Sequence, residues 1–137
     1  MRGYQDDLAG LSLFSEVSRG ELAAIRRHLT LLFVPAGSVL MREGARGEEF
    51  MIMADGVATV SRDGRTVATL ERGDIVGEMA LLDEQGSGRC NATVMVKSDS
   101  LVYAGSRAEF HRILESVPAV DRSVRQAAAI RTARRAA

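Results

Sequence analysis

The chain has 137 residues, enough for one domain around one core. Its 18 basic and 18 acidic residues cancel, so no global field draws it to nucleic acid or to a membrane surface. The opening stretch from Met1 to Asp7 is polar and no long apolar run follows, which argues against secretion and membrane spanning; a single cysteine closes no internal disulfide, and the expectation is a cytoplasmic protein.

The first structured element expected is a helix. Ser18 is followed three residues later by Glu21, the spacing of a capping box, and Leu22, Ile25 and Leu29 then share one face. This helix should end near His28. From Leu31 to Tyr103 the pattern changes to short apolar runs broken by glycine turns, the pattern of an antiparallel sandwich or jelly roll. The expected strands are Leu31 to Val34, Ser38 to Met41, Glu49 to Met53, Val57 to Ser61, Thr66 to Leu70, Ala92 to Val96 and Leu101 to Tyr103. Asp63-Gly64 is the clearest hairpin turn, because that dipeptide tolerates positive φ, and its register should be well set.

At Ser106, with Glu109 at the box position, a second helix should begin, carrying Phe110, Ile113 and Leu114 inward and interrupted by Pro118. A last helix from about Ala119 shows a thin stripe of Val120, Val124, Ala127 or Ala128 and Ile130, opposite a basic face of Arg122, Arg125, Arg131, Arg134 and Arg135. Such an alanine-rich stripe permits close helix approach, so a homodimer through this helix is one expectation. The fold class expected is mainly β with flanking helices: a jelly-roll-like barrel with N-terminal helices and a C-terminal helical cap. One domain covers 1–137, with a helical lead-in over 1–29, the barrel over 30–104 and the C-terminal helices over 106–137.

Within the barrel, Gly77-Glu78-Met79-Ala80-Leu81-Leu82 is followed, after a glycine-rich loop, by Arg89-Cys90-Asn91-Ala92-Thr93-Val94. Together with the glycines of Ala36-Gly37, Glu43-Gly44, Asp55-Gly56 and Gly73-Asp74, this segment resembles the phosphate-binding cassette of cyclic-nucleotide-binding domains, the sensory domain of catabolite-activator-type regulators and cAMP-dependent kinase regulatory subunits. The resemblance runs from about Leu8 to Val120, with the cassette at 77–94. It implies a regulatory sensor for a cyclic nucleotide, cAMP by default and cGMP as the variant, with no further cofactor and an effector protein of unknown kind. It also implies a site made of Gly77, Glu78, Met79, Ala80, Leu81, Arg89, Cys90, Asn91 and Thr93. In such sites helix-start N–H groups hold the phosphate, a glutamate takes the ribose 2′-OH, and an arginine neutralises the anion; the chemistry suits an anion at a positive helix end and a planar guanidinium fork. It further implies that the C-terminal helices swing to cap the base.

The arginine position is where this chain departs from the family. The family's arginine lies nine or ten residues beyond the glutamate and three before the threonine. Here, counting back from Thr93 reaches Cys90, whereas Arg89 lies eleven residues beyond Glu78. A one-residue displacement moves a Cα by about 3.5 Å and turns an extended side chain to the other face. Gly86 and Gly88 give the loop freedom to deliver Arg89 all the same. If Arg89 does not arrive, the alternative is a degenerate domain without nucleotide affinity that acts by protein contact. Cys90 then reads as an inert small filler.

Other functions fit less well. A metal-dependent jelly-roll enzyme needs clustered histidines, but the two here, His28 and His111, fall on expected helices far apart in sequence; no catalysis is expected. Asn91-Ala92-Thr93 matches a glycosylation sequon that a cytoplasmic chain never presents to that machinery. The chain stops at the end of its last helix, with no groove-reading helix after it, so no sequence-specific DNA binding is expected.

Overall fold

In the computed structural model, which describes residues 10–78, 81 and 88–136, both serine-led helix starts carry reciprocal caps. Ser18 Oγ accepts from the Glu21 N–H at 3.2 Å while the Glu21 carboxylate accepts from the Ser18 N–H at 3.0 Å, and Ser106 and Glu109 do the same. Each satisfies donors that a helix start leaves open, worth about 1 kcal/mol per cap. These caps open α1 (Arg19–Arg26) and α2 (Arg107–Ser116). α1 stops short of His28 because the N–H groups of His28 and Leu29 bond to the carbonyls of Ile25 and Arg26, a tighter three-residue closure. Pro118 does not merely interrupt. It is the first residue of α3 (Pro118–Ala136), where its missing N–H would have had no helical partner.

Among the described residues, eight strands follow the first helix: β1 (Thr30–Val34), β2 (Val39–Met41), β3 (Glu49–Asp55), β4 (Ala58–Arg62), β5 (Arg65–Leu70), β6 (Ile75–Val76), β7 (Thr93–Val96) and β8 (Ser100–Ser106). They form two four-stranded sheets, β1-β8-β3-β6 and β2-β7-β4-β5. The pairings of β1 with β8 and of β2 with β7, antiparallel and distant in sequence, are those of a jelly-roll-like sandwich. Seven of the strands match expected ones; β6 is new. The hairpin at Asp63 and Gly64 has positive φ at both residues, 52° and 78°, as a two-residue turn requires. Its register is not uniform, however. Ser61 pairs with Thr66 but Val60 with Ala68, which leaves Val67 as the extra residue of a bulge, 52% exposed.

The middle sheet strand, β3, is buried on both faces, so its sequence is a continuous apolar run rather than an alternation. Met51 and Met53 face the second sheet, among Val76, Val94, Val96 and Val102. Phe50, Ile52 and Ala54 face the helices, in a cluster with Ile25, Leu81, Phe110, Ile113, Leu114, Val117, Val120 and Val124. The Phe50 and Phe110 rings lie 4.9 Å apart between centroids, tilted by 52°. The expected stripe of α3 is thus buried at Val120 and Val124; the side chains of Ala128, Ile130, Arg131, Arg134 and Arg135 lie outside the described residues. Among the described residues no helix is long and apolar enough to cross a membrane.

Candidate functional site

The segment before β7 is held by the turn between β2 and β3. The Gly47 N–H donates to the Gly88 carbonyl and the Cys90 N–H to the Ala45 carbonyl, both at 2.8 Å, around a bridge that pairs Arg46 with Arg89. Directly paired residues share a face, and neighbours alternate. Arg46 and Arg89 therefore lie on one side of this ribbon, and Ala45 and Cys90 on the other. Arg89 is exposed, and its Nη1 donates to the Gly44 carbonyl at 2.8 Å. Cys90 is 7% exposed and lines a cleft of about 190 Å³ together with Met41, Arg42, Ala45, Arg46 and Glu49. Burial pushes the Cys90 thiol above its usual pKa, against a smaller opposing pull from a backbone hydrogen bond. At neutral pH it is a neutral, apolar wall.

Gly77 adjoins the same cleft. Its φ is +91°, and a Cβ placed on it would sit 2.7 Å from the Glu49 carbonyl oxygen and 2.9 Å from Met41 Cε, so only glycine gives both the turn and the close approach. The Leu81 N–H points back to the Gly77 carbonyl at 3.4 Å, and Glu78 and Leu81 are both helical. Leu81 is 1% exposed and belongs to the helix-facing core. Glu78 is fully buried, an expensive place for a carboxylate unless polar groups answer it. It takes part in polar interactions within the fold, while its Oε2 accepts no hydrogen bond from a described residue. Met79, Ala80 and the loop at 82–87 lie outside the described residues.

Asn91 and Thr93 serve the frame around the cleft. The Thr93 hydroxyl accepts from the Glu43 N–H at 3.0 Å, and the Arg62 Nε donates to the Asn91 carbonyl at 3.0 Å. The Glu43 carboxylate in turn accepts from the Asp63 N–H at 3.1 Å, so the β2–β3 turn, the β4–β5 hairpin and the start of β7 are tied together. Arg107, which sequence reasoning passes over, ties the cleft to a helix. Its Nη2 donates to the Gly47 carbonyl at 2.8 Å and its N–H to the Glu48 carbonyl at 3.0 Å. The signal available for it is its place directly after the cap Ser106. Neither histidine lines this cleft: His28 follows α1, and His111 lies edge-on against Phe110 in α2. Among the described residues no three His, Cys, Asp or Glu side chains gather as metal ligands.

The sandwich thus sets a fully buried glutamate after a positive-φ glycine that packs against residues of an open cleft. Residues 31–117 match the cyclic nucleotide-binding domain, and the chain belongs to that family. The cAMP-dependent protein kinase regulatory subunit of Aspergillus fumigatus is 34% identical over 118 residues, covering 85% of this chain and 28% of that protein. The chain spans about a quarter of the length of the curated relatives it matches. Among solved structures, the catabolite activator protein of Thermus thermophilus superposes with a TM-score of 0.78 at 25% identity, over 89% of this chain and 58% of that one. PKAR CBD2 with bound Sp-2Cl-cAMPS gives 0.77 at 25% identity, over 94% and 87%.

Proposed function

We infer that this chain is a regulatory module that binds a cyclic nucleotide, cAMP in the first place, and transmits occupancy to its C-terminal helices. The observation that carries the reading is the fully buried Glu78 behind the positive-φ Gly77, which packs against the cleft residues Met41 and Glu49, in a chain whose family is defined by this ligand class. Glu78 is assigned the ribose 2′-OH, and the backbone of Gly77 to Leu81, including Met79 and Ala80, the cyclic phosphate. Cys90, with Asn91 and Thr93 behind it, forms the facing wall. Arg89 is assigned no direct contact, since its guanidinium is turned to the Gly44 carbonyl. Like the regulatory subunits it resembles, the module is read as a regulator of an effector protein rather than a catalyst.

Two contacts support transmission. Leu81 shares a buried cluster with Phe110, Ile113, Leu114, Val117 and Val120, and Arg107 anchors the start of α2 to the Gly47 and Glu48 carbonyls at the cleft rim. A ligand that favours one placement of these elements over another shifts their populations by its differential affinity. The test is thermal denaturation with cAMP and cGMP. A ligand that binds only the native state adds about 2.7 kcal/mol at a hundredfold excess over Kd, which raises the melting temperature by several degrees. No shift at millimolar concentrations of either would support the second reading, a module without nucleotide affinity that acts by protein contact. The uncharged Cys90 wall favours that reading.

A further inference from the structure

Among the described residues the two sheets end on β1 and β6 and on β2 and β5. Three of these edges carry a feature that discourages pairing with a further strand. β6 has two residues. β2 has three, and its register with β7 shifts between Val39 and Met41. β5 opens on Arg65 and carries the bulge at Val67. Short strands, bulges and charges are the devices by which sheet edges avoid joining other chains. β1 has none of them. Its five residues pair with β8 without a break in register, and no charged residue occurs between Leu29 and Ser38. Beyond that ladder, no backbone group of Thr30–Val34 bonds to another described residue. The strand is also apolar on both faces. Leu31 and Phe33 sit opposite Tyr103 and Leu101, on the helix-facing side of the sheet, yet are 43% and 65% exposed. Leu32 sits opposite Val102, on the side of the second sheet, and is 40% exposed.

We propose that β1 is a self-association edge, at which the β1 strands of two copies of this chain pair antiparallel about a two-fold axis through Leu32 and join their sheets into one. The partner that fits is a second copy because an uncharged strand, apolar on both faces, complements itself. An axis at Leu32 sets Leu31 of each copy opposite Phe33 of the other, an aliphatic–aromatic pair on the helix-facing side, and Leu32 against Leu32 on the reverse. A charged strand would meet no counter-charge between Leu29 and Ser38. Such a contact uses the same patch on both copies and closes on itself. The far edge of each sheet, β6, is too short to carry the pairing further, so association stops at the dimer. Pro35, which has no N–H to donate, limits the paired stretch to the five residues of β1. So short a contact makes the dimer weak and reversible. Self-association is thereby assigned to a sheet edge and not to the alanine-rich stripe of the last helix, and it does not depend on nucleotide binding.

The experiment is sedimentation velocity of the whole chain from about 1 μM to about 1 mM, for the wild type and for Phe33→Lys, Leu31→Lys, Phe33→Leu and, as an exposed apolar control on the other sheet, Val67→Lys. The wild type should pass from monomer to dimer as concentration rises. Each lysine on β1 should weaken the dimer about tenfold or more, since it sets an unpaired cation among apolar groups. Phe33→Leu should stay within a few-fold of the wild type, and Val67→Lys should match it. A melting curve establishes that each variant is folded. The second measurement is oxidative crosslinking of Leu32→Cys, whose position is directly opposite itself across the axis, where paired Cβ atoms come within disulfide reach; Cys90 is buried and does not compete. Leu32→Cys should form a covalent dimer well before Val67→Cys does. A wild type that stays monomeric at about 1 mM overturns the inference. A dimer unaltered by both β1 lysines overturns it as well, since the contact would then lie elsewhere, the last helix included. If the lysine variants do not fold, equal crosslinking of Leu32→Cys and Val67→Cys overturns it.

Discussion

Replacing Cys90 by arginine should convert a neutral cleft wall into a cationic one and tighten cAMP binding. The position faces inward, opposite Ala45, and adjoins about 190 Å³ of open cleft, so a longer side chain has somewhere to go. A hydrogen bond to a charged group contributes about 1.5–3 kcal/mol net, and each 1.4 kcal/mol is about tenfold in affinity; the expected gain is therefore about ten- to a hundredfold. The unliganded protein should lose about 1–3 kcal/mol of stability, because the site is nearly buried and the added volume must be accommodated. Arg89→Ala should be close to neutral, since Arg89 is exposed, lies on the ribbon face away from Cys90, and holds the Gly44 carbonyl through Nη1 at 2.8 Å. Titration calorimetry with cAMP on the three proteins decides the matter. Abolished binding in Arg89→Ala, together with no gain in Cys90→Arg, would show that the loop delivers Arg89 to the phosphate and that the ribbon geometry has been misread.

Gly77→Ala should lower stability by about 1–3 kcal/mol through backbone strain and the 2.7 Å approach to the Glu49 carbonyl; a urea midpoint equal to that of the wild type would contradict this. If Glu78 takes the ribose 2′-OH, a cycle of Glu78→Ala against 2′-deoxy-cAMP should give a coupling of about 1.5–3 kcal/mol, whereas additive losses would remove that role. Phe110→Ala, at a site 1% exposed and stacked with Phe50, should cost about 3–5 kcal/mol in chemical denaturation; a cost below 1 kcal/mol would mean that the helical layer is not packed as described. The Cys90 thiol has a raised pKa in the folded state, so its contribution is full below the unfolded thiol pKa and fades as pH rises through the folded one. The stability difference between wild type and Cys90→Ala should accordingly shift against the wild type above about pH 8.5, and a difference constant with pH would contradict the assignment.

Much of this fold is legible because its signals are local. A serine with a glutamate three residues on predicts both caps, and Asp63-Gly64 predicts its turn, since the residues that satisfy those geometries are few. β6 escapes notice because two residues, Ile75 and Val76, carry no periodicity; they become a strand only by pairing with Met51 and Ile52. The bulge at Val67 is invisible for a related reason: Thr66-Val67-Ala68-Thr69 offers no large core residue whose face would fix the register. The site divides in the same way. Gly77 and Glu78 stand out by motif, but the choice between Arg89 and Cys90 depends on a cross-strand partner, Arg46, that no count along the chain reveals.

The central claim is that the cleft lined by the end of β2, the β2–β3 turn and Cys90 takes a cyclic nucleotide. Isothermal titration of cAMP into the chain, with 5′-AMP as the open-phosphate comparison, tests it most directly. The account predicts saturable one-to-one binding of cAMP and much weaker binding of 5′-AMP, whose second phosphate charge and open geometry do not fit a site built for a cyclic diester. Absence of saturable heat for cAMP at millimolar concentration, with the protein shown to be folded, would contradict it.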